Sequence, residues 1–190
     1  EVLYNLVKPP IHGWAFRQLR RRQPLTRAAL AEAYTKLESW TTFWLRDRRA
    51  PGHALAHYQH GNDSGWDNST VFDHDRVVES ADLACFLAIQ LDVLAKLARE
   101  LDRPDDAARW SAAATRLTEA VLAELWDGRR FTTYAPLSGR RDVSESLLSA
   151  LPIVASDSLP RSVVDALAHQ VGGLLTEYGP ATEPPSSTSY

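Results

Sequence analysis

The chain has 190 residues and a formal net charge of −3 at pH 7. A chain of this length buries about 70% of the surface that it exposes when unfolded, which is enough for one domain with a sizeable core. The charge balance argues against a nucleic-acid partner, and the one dense basic run, Arg20 to Arg22, is interpreted as the solvated end of a helix rather than a phosphate site.

The cysteine and methionine content bears on the setting of the chain. The single cysteine, Cys85, excludes an intrachain disulfide, fits a reducing compartment and has apolar neighbours that favour a buried thiol over a nucleophile. No apolar run approaches the roughly 20 residues that cross a bilayer, and no signal peptide opens the chain, so we expect a soluble cytoplasmic protein with no membrane partner. Because methionine is absent and the sequence stops abruptly at Tyr190, we expect residues 1–190 to be one domain, incomplete at both ends.

Helical periodicity dominates the chain outside one long loop. After an extended start at Pro9-Pro10, a short helix is predicted over His12 to Arg22. Thr26 is a predicted N-cap, and the long helix that follows ends before Pro51. Apolar residues recur in this helix at three- and four-residue spacing, which predicts one buried stripe made of Leu30, Ala33, Tyr34, Leu37, Trp40, Phe43 and Trp44. For the two tryptophans of the stripe, this pattern favours a core role over a sugar-stacking role.

Four further helices are predicted after the loop. They cover residues 80–101, 106–125, 144–154 and 160–175, with Pro104 and Pro160 at first-turn positions that tolerate proline. The first two are expected to be antiparallel neighbours because their connection is only a few residues long. A short irregular or hairpin stretch is predicted over residues 129–141, and no segment has the pattern of a sheet strand.

The residues from Pro51 to about Val78 form a long predicted loop, whose central segment, Gly61 to Phe72, reads GNDSGWDNSTVF. Gly, Asn, Asp and Ser favour turns and local side-chain hydrogen bonds over helices and strands. Loops of this length are usually functional or disordered, and the aromatic residues Tyr58, Trp66 and Phe72 argue against disorder. We therefore interpret the segment as a loop that carries chemistry.

A metal site is one alternative interpretation of this loop, which is rich in His and Asp. His53 and His57 could share a helical face, as in zinc hydrolases, but Ala54 stands where the H-E-x-x-H motif has Glu. His74-Asp75 is only a two-residue match to metal phosphohydrolases, and the D-x-D-x-D-G pattern of an EF-hand is missing. We therefore expect neither a metal nor another cofactor.

Gly65-Trp66-Asp67-Asn68-Ser69 resembles the Gly-Trp-Asp-x-Ser segment of trehalases and of the glucosidases and mannosylglycerate hydrolases in glycoside hydrolase families 37 and 63. Less specific correspondences extend along the chain, at Lys8-Pro9-Pro10 with Gly13-Trp14, Asp82-Leu83, Leu125-Trp126-Asp127 and Ala181-Thr182-Glu183. The resemblance implies an all-α fold, the (α/α)₆ toroid. A complete toroid has twelve helices, whereas five clear helices and one short helix are predicted here. We therefore expect about half of a toroid. Its apolar flanks would be covered by the missing half or by another chain.

The same resemblance implies that Asp67 is a catalytic residue, the general acid of glycosidic bond cleavage. Such an acid must stay protonated near neutral pH, which packing against an apolar neighbour such as Trp66 favours. Gly65, Trp66 and Asn68 are the implied substrate-binding residues. Gly65 either lets the backbone approach the sugar or is a turn glycine with positive φ. Trp66 either stacks on the sugar or anchors the loop. Asn68 would orient the loop.

Glycosidic cleavage also needs a second carboxylate on the opposite face of the sugar. In the relatives this general base follows a Tyr-Trp-Arg-Gly-Pro segment that the present chain does not reach. Glu183 lies just ahead of that position, with a cleft role and a plain loop role both open, whereas Glu177 and Glu79 do not lie where the family keeps its base.

The resemblance thus implies a glycoside hydrolase that acts on a small α-linked sugar by inversion, with its general base outside this chain. The expected partner is a small oligosaccharide or glycoside substrate. The alternative from another functional class is a non-catalytic helical domain that binds carbohydrate or another protein.

Overall fold

The computed structural model describes residues 7–66 and 68–190, most of which are helical. This part of the chain contains the α-helices α1 (His12–Arg22), α2 (Arg27–Asp47), α3 (Gly61–Ser64), α4 (Ala81–Glu100), α5 (Pro104–Leu125), α6 (Leu147–Ala150) and α7 (Arg161–Gly173). Two 3₁₀ helices cover Thr70–Phe72 and Leu151–Ser158. Among the described residues, no helix combines the length and apolar character that a membrane crossing requires.

The long helices lie where the periodicity predicts them. Helix α1 has the predicted bounds, and α2 begins after Thr26, whose hydroxyl accepts a hydrogen bond from the Ala29 amide at 3.2 Å. The bounds of α4 and α7 differ from the predictions by one or two residues, and α5 includes the predicted start at Pro104. The single helix predicted over 144–154 is wrong, because the short α6 passes into the 3₁₀ helix. Pro152 lies at that junction and has no amide proton to continue the α-helical bonding.

Helix α4 is the centre of the core, with 16 of its 20 residues buried. It packs against α1, α2, α5 and the 3₁₀ helix Leu151–Ser158, and only residues 101–103 separate it from α5. Helix α2 contributes a buried stripe that includes Tyr34 and Trp44, and the Trp44 ring makes an edge contact with Tyr58 at 5.9 Å. The core role expected for the Trp44 stripe is therefore confirmed, and Cys85 is buried in α4 as predicted.

Helices α1 and α4 cross closely at Gly13. A Cβ atom on Gly13 would lie 2.6 Å from the Gln90 Cα atom, so no larger residue fits without moving a helix. The Gly13 amide donates to the Gln90 side-chain oxygen at 2.9 Å, and the Gln90 Nε2 atom donates to the Thr41 hydroxyl at 2.9 Å. A buried chain of hydrogen bonds therefore connects α1, α4 and α2.

Two small antiparallel sheets correct the expectation that no segment forms a strand. The first has the order β1 (His57–Tyr58), β2 (Val78–Glu79), β3 (Thr133–Ala135) and β4 (Arg140–Asp142), and the second pairs β5 (Leu175–Thr176) with β6 (Gly179–Pro180). Strands of two or three residues are too short to show the alternating pattern by which strands are predicted. The hairpin alternative for residues 129–141 is confirmed by the pairing of β3 with β4.

Candidate active site

The candidate active-site loop, residues 59–77, is closed at its base by the pairing of β1 with β2. Its first part is the single turn α3, which begins where the Asn62 amide donates to His60 Nδ1 at 3.0 Å. This turn ends at Gly65, whose φ of 78° lies in the left-handed region that favours glycine. Asp67, the predicted general acid, lies outside the described residues.

Asp63 anchors the first half of the loop to the core. Its fully buried carboxylate accepts a bond from the Arg48 guanidinium at 2.8 Å and bonds from the Val7 and Gln59 amides at 3.0 Å each. Arg48 is also buried, and its guanidinium carbon lies 5.5 Å from the centre of the Phe43 ring. A buried ion pair with this number of additional hydrogen bonds fixes both partners in one geometry.

The segment that precedes α1 also holds the loop. The Val7 amide bonds to the Asp63 carboxylate, and the Lys8 ammonium donates to the Asn62 carbonyl at 2.7 Å. These contacts place Val7 and Lys8 beside the loop. The sequence does not predict the ion pair of Asp63, because nothing in its 15-residue separation from Arg48 indicates that the two side chains meet.

Ser69 and Thr70 anchor the second half of the loop. The Ser69 hydroxyl donates to the Ser146 hydroxyl at 2.8 Å, and the hydroxyls of Thr70 and Ser144 are 2.8 Å apart. The Thr70 amide donates to the carboxylate of Glu183 at 3.1 Å, so the loop is bonded to two later segments of the chain.

The three predicted substrate-binding residues have different environments. Gly65 is exposed, and a Cβ atom there would meet nothing within 4 Å. Trp66 is half-buried against the apolar cluster of Val71, Val78 and Leu148, while Asn68 is exposed. The conformation of Gly65 thus agrees with a turn glycine and the packing of Trp66 with an anchoring role.

Glu79 and Glu177, the other carboxylates considered from the sequence, lie in contrasting surroundings. Glu79 is fully buried on β2, where burial raises the pKa of its carboxyl group against the opposing effect of His53. The His53 Nδ1 atom lies 2.7 Å from its carboxylate, and the His53 ring stacks on Tyr134 with centres 5.7 Å apart. Glu177 is exposed in the turn between β5 and β6.

Asp82, in the first turn of α4, is also buried close to the loop's base. The Tyr58 hydroxyl donates to its carboxylate at 2.7 Å, and the Ser80 hydroxyl donates to the other carboxylate oxygen. Burial raises the pKa of Asp82, although these hydrogen bonds oppose the effect. Asp82 lies in the first turn of the helix, near the positive end of the helix dipole.

The metal alternative is not supported by the placement of the histidines. His53 lies in an irregular segment and His57 lies on β1, so the suggested shared helical face is wrong. Within residues 7–66 and 68–190, no group of three or more His, Cys, Asp or Glu side chains could hold a metal ion.

A cavity of about 360 Å³ borders the contact between the loop and α6. Ser146, the partner of Ser69, contributes to its wall, together with residues of α7 and of the C-terminal segment. The lining includes Arg129, Arg130 and Glu145 but none of Gly65, Trp66 and Asn68. The cavity therefore lies beside the candidate loop, at the contact that supports it.

Comparison with solved structures places this arrangement in a known fold. The crystal structure of an uncharacterized conserved protein from Thermus thermophilus matches 98% of this chain with a TM-score of 0.80 and 17% identity. That of the GH63 mannosylglycerate hydrolase from the same organism, in complex with glucose, matches 98% with a TM-score of 0.79 and 16% identity. The chain spans 59% of the length of each. The expected fold, part of an (α/α)₆ toroid, is confirmed.

Sequence comparison gives the family. A mannosylglycerate hydrolase from Rubrobacter radiotolerans is 34% identical over 72 residues, which make up 36% of this chain and 16% of that protein. Residues 4–190 match the profile of the mannosylglycerate hydrolase MGH1-like glycoside hydrolase domain. The profile match covers nearly the whole chain, and the chain therefore belongs to the MGH1-like family of glycoside hydrolase domains.

Proposed function

We propose that this chain is the acid-bearing part of an inverting α-glycosidase in which Asp67 is the general acid. The observation that carries the proposal is the fixation of the loop on both sides of Asp67. Asp63 is held by a buried ion pair before it, and Ser69 and Thr70 are hydrogen-bonded to distant segments after it. A catalytic group must be held by its surroundings to a fraction of an ångström, and anchored flanks of this kind meet that requirement.

The chemistry needs a neutral carboxyl group that can transfer its proton to the leaving oxygen. Trp66 precedes Asp67 in the sequence and is half-buried. Its indole offers an apolar surface that would keep such a carboxyl group protonated. The exposed Gly65 and Asn68 would contact the sugar. We further propose that the general base, which activates water on the opposite face, lies outside residues 1–190.

The substrate that we propose is a small α-linked glycoside, and mannosylglycerate is the first compound to test. This choice rests on the name of the Rubrobacter radiotolerans relative and on the Thermus thermophilus structure that contains Tris and D-glycerate. No cofactor is required, because the proposed reaction uses only carboxyl groups and water.

The test is Asp67→Asn in the intact protein, with Asp73→Asn as the matched control. Asp73 is an exposed carboxylate of the same loop. We expect Asp67→Asn to lower kcat by about 100-fold or more with little change in KM, since general acids contribute roughly 10²–10⁴ in rate. The control should keep its activity. Proton NMR of the wild-type reaction should show the β-anomer of the released sugar first, as inversion requires.

Two results would contradict the proposal. Unchanged turnover in Asp67→Asn would remove the general-acid role, and early release of the α-anomer would remove inversion. Calorimetric binding of disaccharides by a wild-type protein that hydrolyses none of them would support the alternative, a non-catalytic carbohydrate-binding domain.

A further inference from the structure

Glu183 forms the most distant contact of the candidate loop. Its side chain is in the C-terminal segment and the residue is only 3% exposed, yet its carboxylate accepts hydrogen bonds from both the amide and the hydroxyl of Thr70. The Thr70 amide donates at 3.1 Å, and the Thr70 hydroxyl lies 3.2 Å and 3.3 Å from the two carboxylate oxygens. The two residues are 113 positions apart, so this contact exists only in the folded chain.

A second set of hydrogen bonds runs parallel to this contact. The Ser69 hydroxyl donates to Ser146, whose own hydroxyl lies 3.2 Å from the Thr182 carbonyl. The Leu147 amide donates to the same carbonyl at 2.9 Å. Thr182, through Ser146, and Glu183 therefore hold the consecutive loop residues Ser69 and Thr70. In the sequence, these two loop residues follow Asp67 by two and three positions.

The use of a carboxylate for this contact has an energetic consequence. A buried carboxylate is costly unless it is well hydrogen-bonded, and bonds to a charged acceptor are shorter and about twice as strong as neutral ones. The Thr70 amide opens a 3₁₀ helix and has no helical partner of its own. Glu183 satisfies this amide and fixes the backbone at Thr70, three positions after Asp67 in the sequence.

We infer that Glu183 is a positioning residue that orients the general acid of the loop. It acts through Thr70 and makes no contact with the reacting atoms. This inference rests on the proposed function, because it assigns Glu183 to the same proton transfer from Asp67. The inferred role differs from both alternatives that the sequence leaves open for Glu183, a contact in the substrate cleft and a plain loop role.

The leaving group of the substrate separates a positioning role from a general loss of structure. A sugar or glycerate oxygen must be protonated as its bond to the anomeric carbon breaks, so its departure depends on a well-placed acid. Fluoride departs without needing that proton. A displaced acid should therefore slow an O-glycoside much more than the corresponding α-glycosyl fluoride, whereas an unfolded or distorted site would slow both.

The experiment compares Glu183→Ala, Glu183→Gln and the control Glu177→Ala in the intact protein. We expect Glu183→Ala to lower kcat for the O-glycoside by about 100-fold, the loss that a displacement near 1 Å can cause, with KM nearly unchanged. The fluoride should lose far less. Glu183→Gln should keep most of the activity, because its carbonyl still accepts the Thr70 amide and its NH₂ group can donate to the Thr70 hydroxyl. The exposed Glu177 should be replaceable without effect.

Thr70→Val adds an independent check, because it removes the hydroxyl and keeps the amide. Since the Thr70 hydroxyl also contacts Ser144, Thr70→Val alone should cost some activity. If Glu183 acts through Thr70, the loss in the double variant Thr70→Val/Glu183→Ala should be smaller than the sum of the two single losses. Additive losses, equal losses on the O-glycoside and the fluoride, or full activity of Glu183→Ala would each overturn the inference. The result for Asp67→Asn is separate: if that variant is inactive while Glu183→Ala is normal, the proposed function stands and the positioning role fails.

Discussion

The ion pair between Arg48 and Asp63 shows how much of the candidate site depends on single buried groups. Replacing Asp63 by Ala would leave the Arg48 guanidinium and the Val7 and Gln59 amides without the acceptor that they now share. Removing one partner of a buried pair costs about 3–5 kcal/mol. We expect Asp63→Ala to lower the free energy of unfolding by about this amount, as measured by urea denaturation.

Asp47→Ala is the matched control for this variant. Asp47 is also paired with an arginine, Arg46, but on the surface, where ion pairs contribute little. Its replacement should leave the urea midpoint almost unchanged. Equal destabilisation by the two variants would show that the buried pair does not hold the loop.

His57 makes stability depend on pH near neutrality. Burial lowers the pKa of His57, and the neighbouring Arg48 and His53 side chains lower it further, whereas Asp63 opposes them. The folded protein therefore binds this proton less readily than the unfolded chain, in which the pKa is about 6.5. The stability that neutral His57 contributes is fully present above the unfolded-state pKa of about 6.5. It is lost as the pH falls from this value toward the lower pKa of His57 in the folded protein.

The corresponding variant is His57→Gln, which cannot take up the proton. Between about pH 7.5 and pH 5.5, the wild-type free energy of unfolding should fall more steeply than that of His57→Gln. His169→Gln, at an exposed position on α7, should keep the wild-type slope. Identical slopes in all three proteins would assign the pH dependence to other groups.

Individual residues of the site differ in how far the sequence predicts them. Gly65 follows from its turn-forming neighbours, and its positive φ agrees with that prediction. The partners of Asp63 and Thr70 could not be predicted, because Arg48 and Glu183 reach them only after helices and loops have folded against each other. Local sequence carries turn chemistry, while these contacts depend on the complete arrangement of the chain.

At the scale of elements, predictability follows length. Helices α2, α4 and α5 each have at least 20 residues, so their apolar stripes recur over several turns and predict their bounds well. Strands β1 and β2 have two residues each and leave no periodic pattern. They nevertheless close the base of the candidate loop, so the element that frames the site is among those that periodicity cannot detect.

The network around the loop connects elements that are remote in sequence. The segment before α1 holds Asp63, the segment before α6 holds Ser69 and Thr70, and the segment after β6 contributes Glu183. Each of these contacts comes from a short irregular stretch between regular elements. The helices thus set the positions of the stretches, and the stretches fix the loop.

For the whole molecule, the buried position of α4 predicts a gradient of stability. Amides deep in a core exchange with solvent only when the whole domain unfolds, whereas peripheral elements open locally. We expect hydrogen exchange measured by mass spectrometry to be slowest in peptides of α4, which packs against five other helical elements: α1, α2, α5, α6 and the 3₁₀ helix Leu151–Ser158. Helix α1, with Trp14 and Leu19 exposed, and the hairpin of β5 and β6, with Tyr178 exposed, should exchange faster.

Destabilising variants should change this gradient in a way that depends on where they act. Asp63→Ala should speed exchange in peptides of the candidate loop more than in α4, as long as the protein stays folded, because the lost contacts lie between the loop and the end of α2. Faster exchange in α4 than in α1 of the wild type would contradict the central role of α4. Uniform exchange across α1, α4 and the loop would mean that the chain opens as one cooperative unit. The contacts of Asp63 and Glu183 would then stabilise the whole domain and would not change local opening of the loop.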